Sequence, residues 1–178
     1  LEFVSTWSAH GFGSVLLFLL FGTILTLVLQ SSSATMAITL IMLSMGWIPF
    51  GMACAMVLGE NIGTTITANI AASIGNTQAK RAAMSHTIFN VFGVLWALLL
   101  FNPFLRLVGL VTEKLFGFPN PAAEGFSVPG PTSPEGTAAL YGLSMLHTLF
   151  NLTNTLVLVW FTGWIGKAVS YIIRTPEN

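Results

Sequence analysis

Hydrophobic residues fill the first half of the chain almost without pause, and the few interruptions carry more information than the runs. Residues 13–29, GSVLLFLLFGTILTLVL, are long enough for most of a bilayer crossing but run directly into QSSS at 30–33. The next apolar stretch, Met36 to Met45, is about ten residues and reaches about halfway across at 1.5 Å per residue. It ends at GWIPF, where Gly46 and Pro49 turn the chain. Another short piece, GMACAMVLG at 51–59, meets a second polar cluster, ENIGTTITAN at 60–69. Two short apolar segments, each abutting a polar, glycine-containing interruption, predict a re-entrant hairpin and discontinuous helices over 11–78. In hydrocarbon such breaks survive only when buried in protein or lining a wet cavity.

The pattern becomes regular after GNTQAKR. A full span is predicted over 82–101, followed by a short amphipathic interfacial helix in PFLRLVGLVTEKLFGF, which together form a unit over 79–117. The Pro/Gly-rich segment 118–136 reads as a solvent-exposed loop. A second span over 137–163 and an amphipathic tail that frays into polar residues complete 137–178. HTIFN at 86–90 recurs as HTLFN at 147–151, so these two spans are expected to be matched helices. The predicted fold is all-α: one polytopic membrane bundle over 1–178 with a re-entrant hairpin and broken helices.

Composition fixes the solvent. Apolar residues make up 54% of the chain and charged residues 7%, against the roughly one quarter charged that is usual in soluble domains. The net charge is zero, which removes the electrostatic footprint of a nucleic-acid partner. A single cysteine, Cys54, excludes an internal disulfide framework, and no Cys/His spacing reads as a zinc site. The chain opens on Leu1 without a signal-peptide pattern and is expected to be a piece of a longer protein. Lys80 and Arg81 precede the first regular span and Lys167 and Arg174 follow the second, so two crossings place all four on one side, the cytoplasmic one. Arg106, Glu113, Lys114, Glu124 and Glu135 fall on the other, with the loop.

Successive side chains on a helix lie about 100° apart, so Gln30, Ser31, Ser32 and Ser33 cannot share one face of it. If the backbone unwinds there, side chains and freed backbone groups can converge on one cavity. Carbonyl and hydroxyl oxygens suit Na⁺, and the positive end of a helix suits an anion. Glu60 is the one acidic residue between Glu2 and Lys80, and a carboxylate inside a bilayer costs about 2.5–3.5 kcal/mol. Asn61, Thr64, Thr65 and Asn69 add oxygens beside it, while Gly59 and Gly63 allow close backbone approach. Neither cluster contains Lys or Arg, so an anionic substrate would be balanced by helix ends and co-bound cations. The plainer readings are serine and threonine bonding back to their own helices, a surface carboxylate at a hairpin tip, and His86 and His147 as packing residues rather than proton carriers.

QSSSAT at 30–35, GENIGTT at 59–65, AKRAAMSHTIFNVFGVL at 79–95 and HTLFNLTNTL at 147–156 resemble the sodium-dependent phosphate cotransporter family, the type II group that includes bacterial members. The resemblance implies one half, the second, of an inverted-repeat transporter in a cell membrane, a bacterial inner membrane. It implies sodium-coupled phosphate symport by alternating access, with no cofactor and with Na⁺ as coupling ion. Carried over by motif, phosphate falls to Gln30, Ser31, Ser32 and Ser33, and sodium to Ser32, Ser33, Thr35, Asn61, Thr64 and Thr65, the last three in a second break. Where the family usually has Ala before Asn-Ile-Gly-Thr this chain has Glu60, a candidate with His86 for charge or proton coupling. The implied partners are inorganic phosphate, sodium, the lipid bilayer, and a second repeat or another copy of the chain. Two other classes stay open: a membrane assembly subunit that does not transport, and an intramembrane hydrolase pairing a serine with His86 or His147.

Overall fold

The computed structural model describes residues 11–175, so the polar end of the tail lies outside the described residues. Within them the fold is all-helical, without strands: α1 Phe12–Leu29, α2 Ser32–Ser44, α3 Phe50–Ala72, α4 Thr77–Leu99, α5 Phe101–Phe116, α6 Pro134–Leu158, a 3₁₀ turn Val159–Phe161, and α7 Thr162–Ile172. Three stretches are long and apolar enough to cross a membrane: Phe12–Leu29, Thr77–Leu99 and Pro134–Ile172.

The first polar interruption breaks the helix. Gln30 takes the left-handed conformation (φ 52°), and Ser31 is extended and caps α2 by accepting from the Ala34 N–H at 3.2 Å. Two residues therefore reverse the chain, and α1 and α2 form a tight helical hairpin.

The second interruption does not. α3 runs unbroken through Glu60, Asn61, Thr64 and Thr65, contrary to the expected second break. Its polar side chains satisfy themselves on their own helix: Asn61 donates to the Val57 carbonyl, Thr64 to Glu60, Thr65 to Ile62 and Asn69 to Thr65. With these groups satisfied inside the helix, nothing favours unwinding. The glycines serve packing instead. The Gly22 backbone lies on that of Met56, Gly59 lies on Leu19, and Gly63 lies on Thr26. From the Gly22–Met56 contact to the Thr26–Gly63 contact both numbers rise, and the starts of the two helices share one cavity wall, so α1 and α3 are parallel, with α2 as the returning segment of the path.

The ends of the bundle follow from a few contacts. Leu98 and Leu99 at the end of α4 share a cavity wall with Phe12, Val15 and Met52, which begin α1 and α3. At that same end α5 buries Phe104, Leu105 and Val108 and leaves Arg106 and Lys114 exposed. The loop 117–133 folds back there, its Val128 carbonyl against Gly46, Pro121 against Gly142 and Asn120 against Gly109. At the opposite end, Arg81 donates from Nε to the Ile173 carbonyl at 3.1 Å, joining the start of α4 to the end of α7.

α4 and α6 are locked through Gly93, whose missing side chain admits Asn154 and Phe150. Trp96 stacks on Phe150 at 5.8 Å and donates to Asn154 Oδ1 at 3.2 Å, while Asn154 donates to the Phe89 carbonyl at 2.8 Å. The buried Leu43, Met56, Leu58, Leu143 and Leu146 fill the centre of the bundle.

Candidate functional site

The hairpin turn gathers the serine cluster at one point. Gln30, Ser32 and Ser33 are exposed, Ser31 is half-buried, and the Ser31 and Ser33 hydroxyls lie 3.1 Å apart. The turn also opens the N-terminus of α2. Ala34 donates its N–H to the Ser31 side chain and Thr35 to the Ser31 carbonyl, whereas Ser32 and Ser33 precede the first intrahelical donors. Free N–H groups and the positive end of the helix dipole thus meet the hydroxyls at the tip.

Behind the tip runs a buried seam of threonines. Thr35 donates to the Ser31 carbonyl at 3.2 Å and lies 3.1 Å from the Thr26 hydroxyl of α1. One turn further along α2, Thr39 reaches both the Thr35 carbonyl at 2.9 Å and Glu60 Oε1 at 3.0 Å. Thr23 reaches the Leu19 carbonyl at 2.9 Å and the Gly59 carbonyl at 3.0 Å. Thr23, Thr26 and Thr39 therefore each have two acceptors, one on their own helix and one across the interface. A hydroxyl with a single proton can switch between them without being left unsatisfied.

Glu60 belongs to this seam. It is 4% exposed, about 15 Å along α3 from Phe50, and so is not a surface carboxylate at a hairpin tip. Thr64 follows it by four residues on the same face. Asn61 and Thr65 lie about 100° round the helix, on the face where Asn69 bonds Thr87 of α4 at 2.6 Å. The residues of the second motif are thus divided between two faces, and only Glu60 and Thr64 turn towards α2.

His86 is exposed on α4 and joins no hydrogen bond with Glu60 or the serines among the described residues. His147 is exposed on α6. Neither imidazole bonds a serine hydroxyl among the described residues. The echo between the two motifs is local: Asn90 donates to the His86 carbonyl at 3.1 Å and Asn151 to that of His147 at 2.9 Å.

Sequence reasoning missed Thr23, Thr26 and Thr39. Each is a single threonine in an apolar run. The signal was present in the spacings, an offset of three from Thr23 to Thr26 and of four from Thr35 to Thr39, which put each pair on one helical face.

The profile of the Na⁺/Pi-cotransporter family matches residues 5–118. YqeW of Bacillus subtilis (strain 168) is 42% identical over 118 residues, covering 66% of this chain and 34% of YqeW. YjbB of Escherichia coli (strain K12), named for inorganic phosphate export, is 27% identical over 166 residues, 93% of this chain and 26% of YjbB. The human sodium-dependent phosphate transport protein 2C is 38% identical over 102 residues, 52% of this chain and 17% of that protein. The chain spans about a third or less of the length of these relatives. No solved structure matches it.

Proposed function

The chain belongs to the Na⁺/Pi-cotransporter family, and from that premise we propose that it forms the phosphate- and sodium-binding hairpin unit of a multi-pass cell-membrane transporter. The observation that carries this reading is the hairpin turn at Gln30–Ser31, which aims a helix N-terminus and a set of hydroxyls at one point inside a bundle of bilayer dimensions. α2 has 13 residues, about 20 Å, and α1 begins and α2 ends at the loop-bearing end of the bundle. Measured along this shorter arm, the tip lies within a hydrocarbon core of about 30 Å, which supports a re-entrant hairpin, although α1, with 18 residues and about 27 Å, nearly spans that core. Phosphate docks at the N–H groups and hydroxyls of Gln30, Ser31, Ser32 and Ser33, and Na⁺ is held by hydroxyl and carbonyl oxygens around Ser32, Ser33 and Thr35.

No Lys or Arg stands in the two motifs, so co-bound Na⁺ offsets the substrate's charge. That is the physical basis for symport, and it requires no cofactor. Asn61 and Thr65 face α4 and are second to Thr64 as sodium ligands. The glycine contacts between α1 and α3 make the hairpin and α3 one body, which moves as a unit against α4–α6 during alternating access.

Radiolabelled phosphate uptake into proteoliposomes tests the reading, with an inward Na⁺ gradient compared against choline. Sodium-dependent accumulation is expected, and Ser32→Ala should lower it at least tenfold with the folded fraction unchanged, because Ser32 is exposed and its hydroxyl bonds nothing among the described residues. Unaltered uptake in that variant would remove the tip from the substrate path.

One observation favours a second reading. The chain covers about a third or less of its relatives, and Ser32 and Ser33 at the tip are exposed, as they would be in a unit completed by a second repeat or another copy. Uptake that appears only on co-reconstitution with such a unit would establish that case.

A further inference from the structure

The end of the bundle opposite the loop carries cations without anions. Lys80 and Arg81 stand at the start of α4, Lys167 on α7 and Arg174 just beyond it, whereas the carboxylates of the described residues sit elsewhere: Glu60 inside the bundle, Glu113, Glu124 and Glu135 towards the loop. Arg81 shows the imbalance in one side chain. Its Nε donates to the Ile173 carbonyl at 3.1 Å, which pins the guanidinium against the end of α7, next to Arg174 in the chain. Nη2 is buried without a partner, and Nη1 bonds nothing among the described residues. A cationic N–H shut from water without an acceptor is costly, and an oxyanion brought to it relieves that cost. The unspent part of the fork has the geometry that suits paired phosphate oxygens.

α7 adds an apolar side to the same place. Val169 is buried, and Ile165 and Ile173, one turn away on either side, are half-buried, so this face packs on α4. The opposite face presents Trp164, Lys167 and Tyr171, with the two rings 75% and 73% exposed. The Lys167 ammonium lies 5.9 Å from the Trp164 ring centroid, and the Arg174 guanidinium lies 5.2 Å from that of Tyr171. Exposed aromatic rings alternating with cations suit the headgroup level of a bilayer. Arg174 joins the two features, since its backbone follows the carbonyl that Arg81 holds and its side chain lies on the outward ring. A small soluble anion would answer the guanidinium groups and leave the rings in water; an anionic amphiphile answers both.

We propose that Arg81 and Arg174 form a headgroup site for an anionic phospholipid, whose phosphodiester takes the free guanidinium donors and whose acyl chains lie beside the Trp164–Tyr171 face of α7. Lys80 and Lys167 set the sign of the headgroup: they attract a net negative lipid and repel the choline of a zwitterionic one. The bound lipid braces the junction of α4 and α7, which among the described side chains is bridged by the single Arg81 bond. The site is separate from the serine tip and requires only that the helices sit in a bilayer.

The test is native mass spectrometry of the whole chain in detergent with equal amounts of phosphatidylglycerol and phosphatidylcholine, counting the lipid that stays bound. Phosphatidylglycerol should be retained in preference, and Arg81→Gln and Arg174→Gln should each lower that preference about fivefold. Arg106→Gln, which removes an exposed arginine at the loop end, should leave it unchanged. If Arg81→Gln does not fold, Arg174→Gln decides, because Arg174 is exposed and its side chain touches only the Tyr171 ring among the described residues. Equal retention of the two lipids overturns the proposal, as does an equal loss in Arg106→Gln, which would reduce the effect to overall charge. Displacement of the lipid by inorganic phosphate at constant ionic strength also overturns it and assigns the arginines to a free anion. Phosphate uptake through the serine tip stands or falls independently of each of these results.

Discussion

At the scale of the residue, Gln30 and Ser31 do different things within one turn. Gln30 holds a left-handed conformation that costs a non-glycine residue about 1–2 kcal/mol, and Ser31 recovers about 1 kcal/mol as the cap of α2. The two roles separate by mutation. Gln30→Gly relieves the backbone and should leave or raise the melting temperature while reducing sodium-dependent phosphate uptake. Ser31→Ala should lower stability by about 1 kcal/mol as well as uptake. Thermal unfolding in detergent beside the uptake assay checks both, and a Gln30→Gly protein with full uptake would restrict Gln30 to a turn residue.

At the scale of the element, glycines decide which helices move together. A Cβ on Gly59 would collide with the Leu19 carbonyl, and one on Gly22 with the Met56 carbonyl, so α1 and α3 approach closely only because both positions lack side chains. Gly59→Ala should therefore destabilise by about 3 kcal/mol, at the upper end of ordinary overpacking. Gly166→Ala in α7 is the contrast: its Cβ meets nothing within 4 Å, and it should be neutral or stabilising by up to about 1 kcal/mol. Equal melting temperatures for the two variants would refute the tight α1–α3 seam. The α4–α6 lock is of the other kind, polar rather than small. Asn154 answers a carbonyl of α4 and the half-buried Trp96 indole together, so one side chain bonds α4 at two points.

At the scale of the whole molecule, the few charges mark its two ends. Arg81 bonds the end of α7, which brings Lys80 and Arg81 to the end that carries Lys167 and Arg174. The loop with Glu124 folds over the base of the hairpin at the other end. Under the positive-inside rule the first end faces the cytoplasm. In a Cys54→Ala background, Glu124→Cys in intact cells should react with a membrane-impermeant maleimide and Lys167→Cys only after the cells are opened. Both positions are exposed, so labelling of the two from one side would overturn this orientation.

The sequence by itself determined that the chain is helical and apolar, where the regular helices run, that QSSS interrupts one of them, and which family it belongs to. Each of these rests on local pattern: run length, turn residues and contiguous motifs. It did not decide what the second polar cluster does. Gly59, Glu60 and Gly63 look alike in sequence whether a helix unwinds there or packs tightly, and only the approach of α1 distinguishes the two. Glu60 became a buried group because α2 covers it, and Thr39 its partner because a hairpin brings residues 21 apart within a hydrogen bond. The tertiary structure likewise divided Asn61 and Thr65 from Glu60 and left His86 apart from all of them, since the face a residue presents acquires meaning only when a neighbouring helix occupies it.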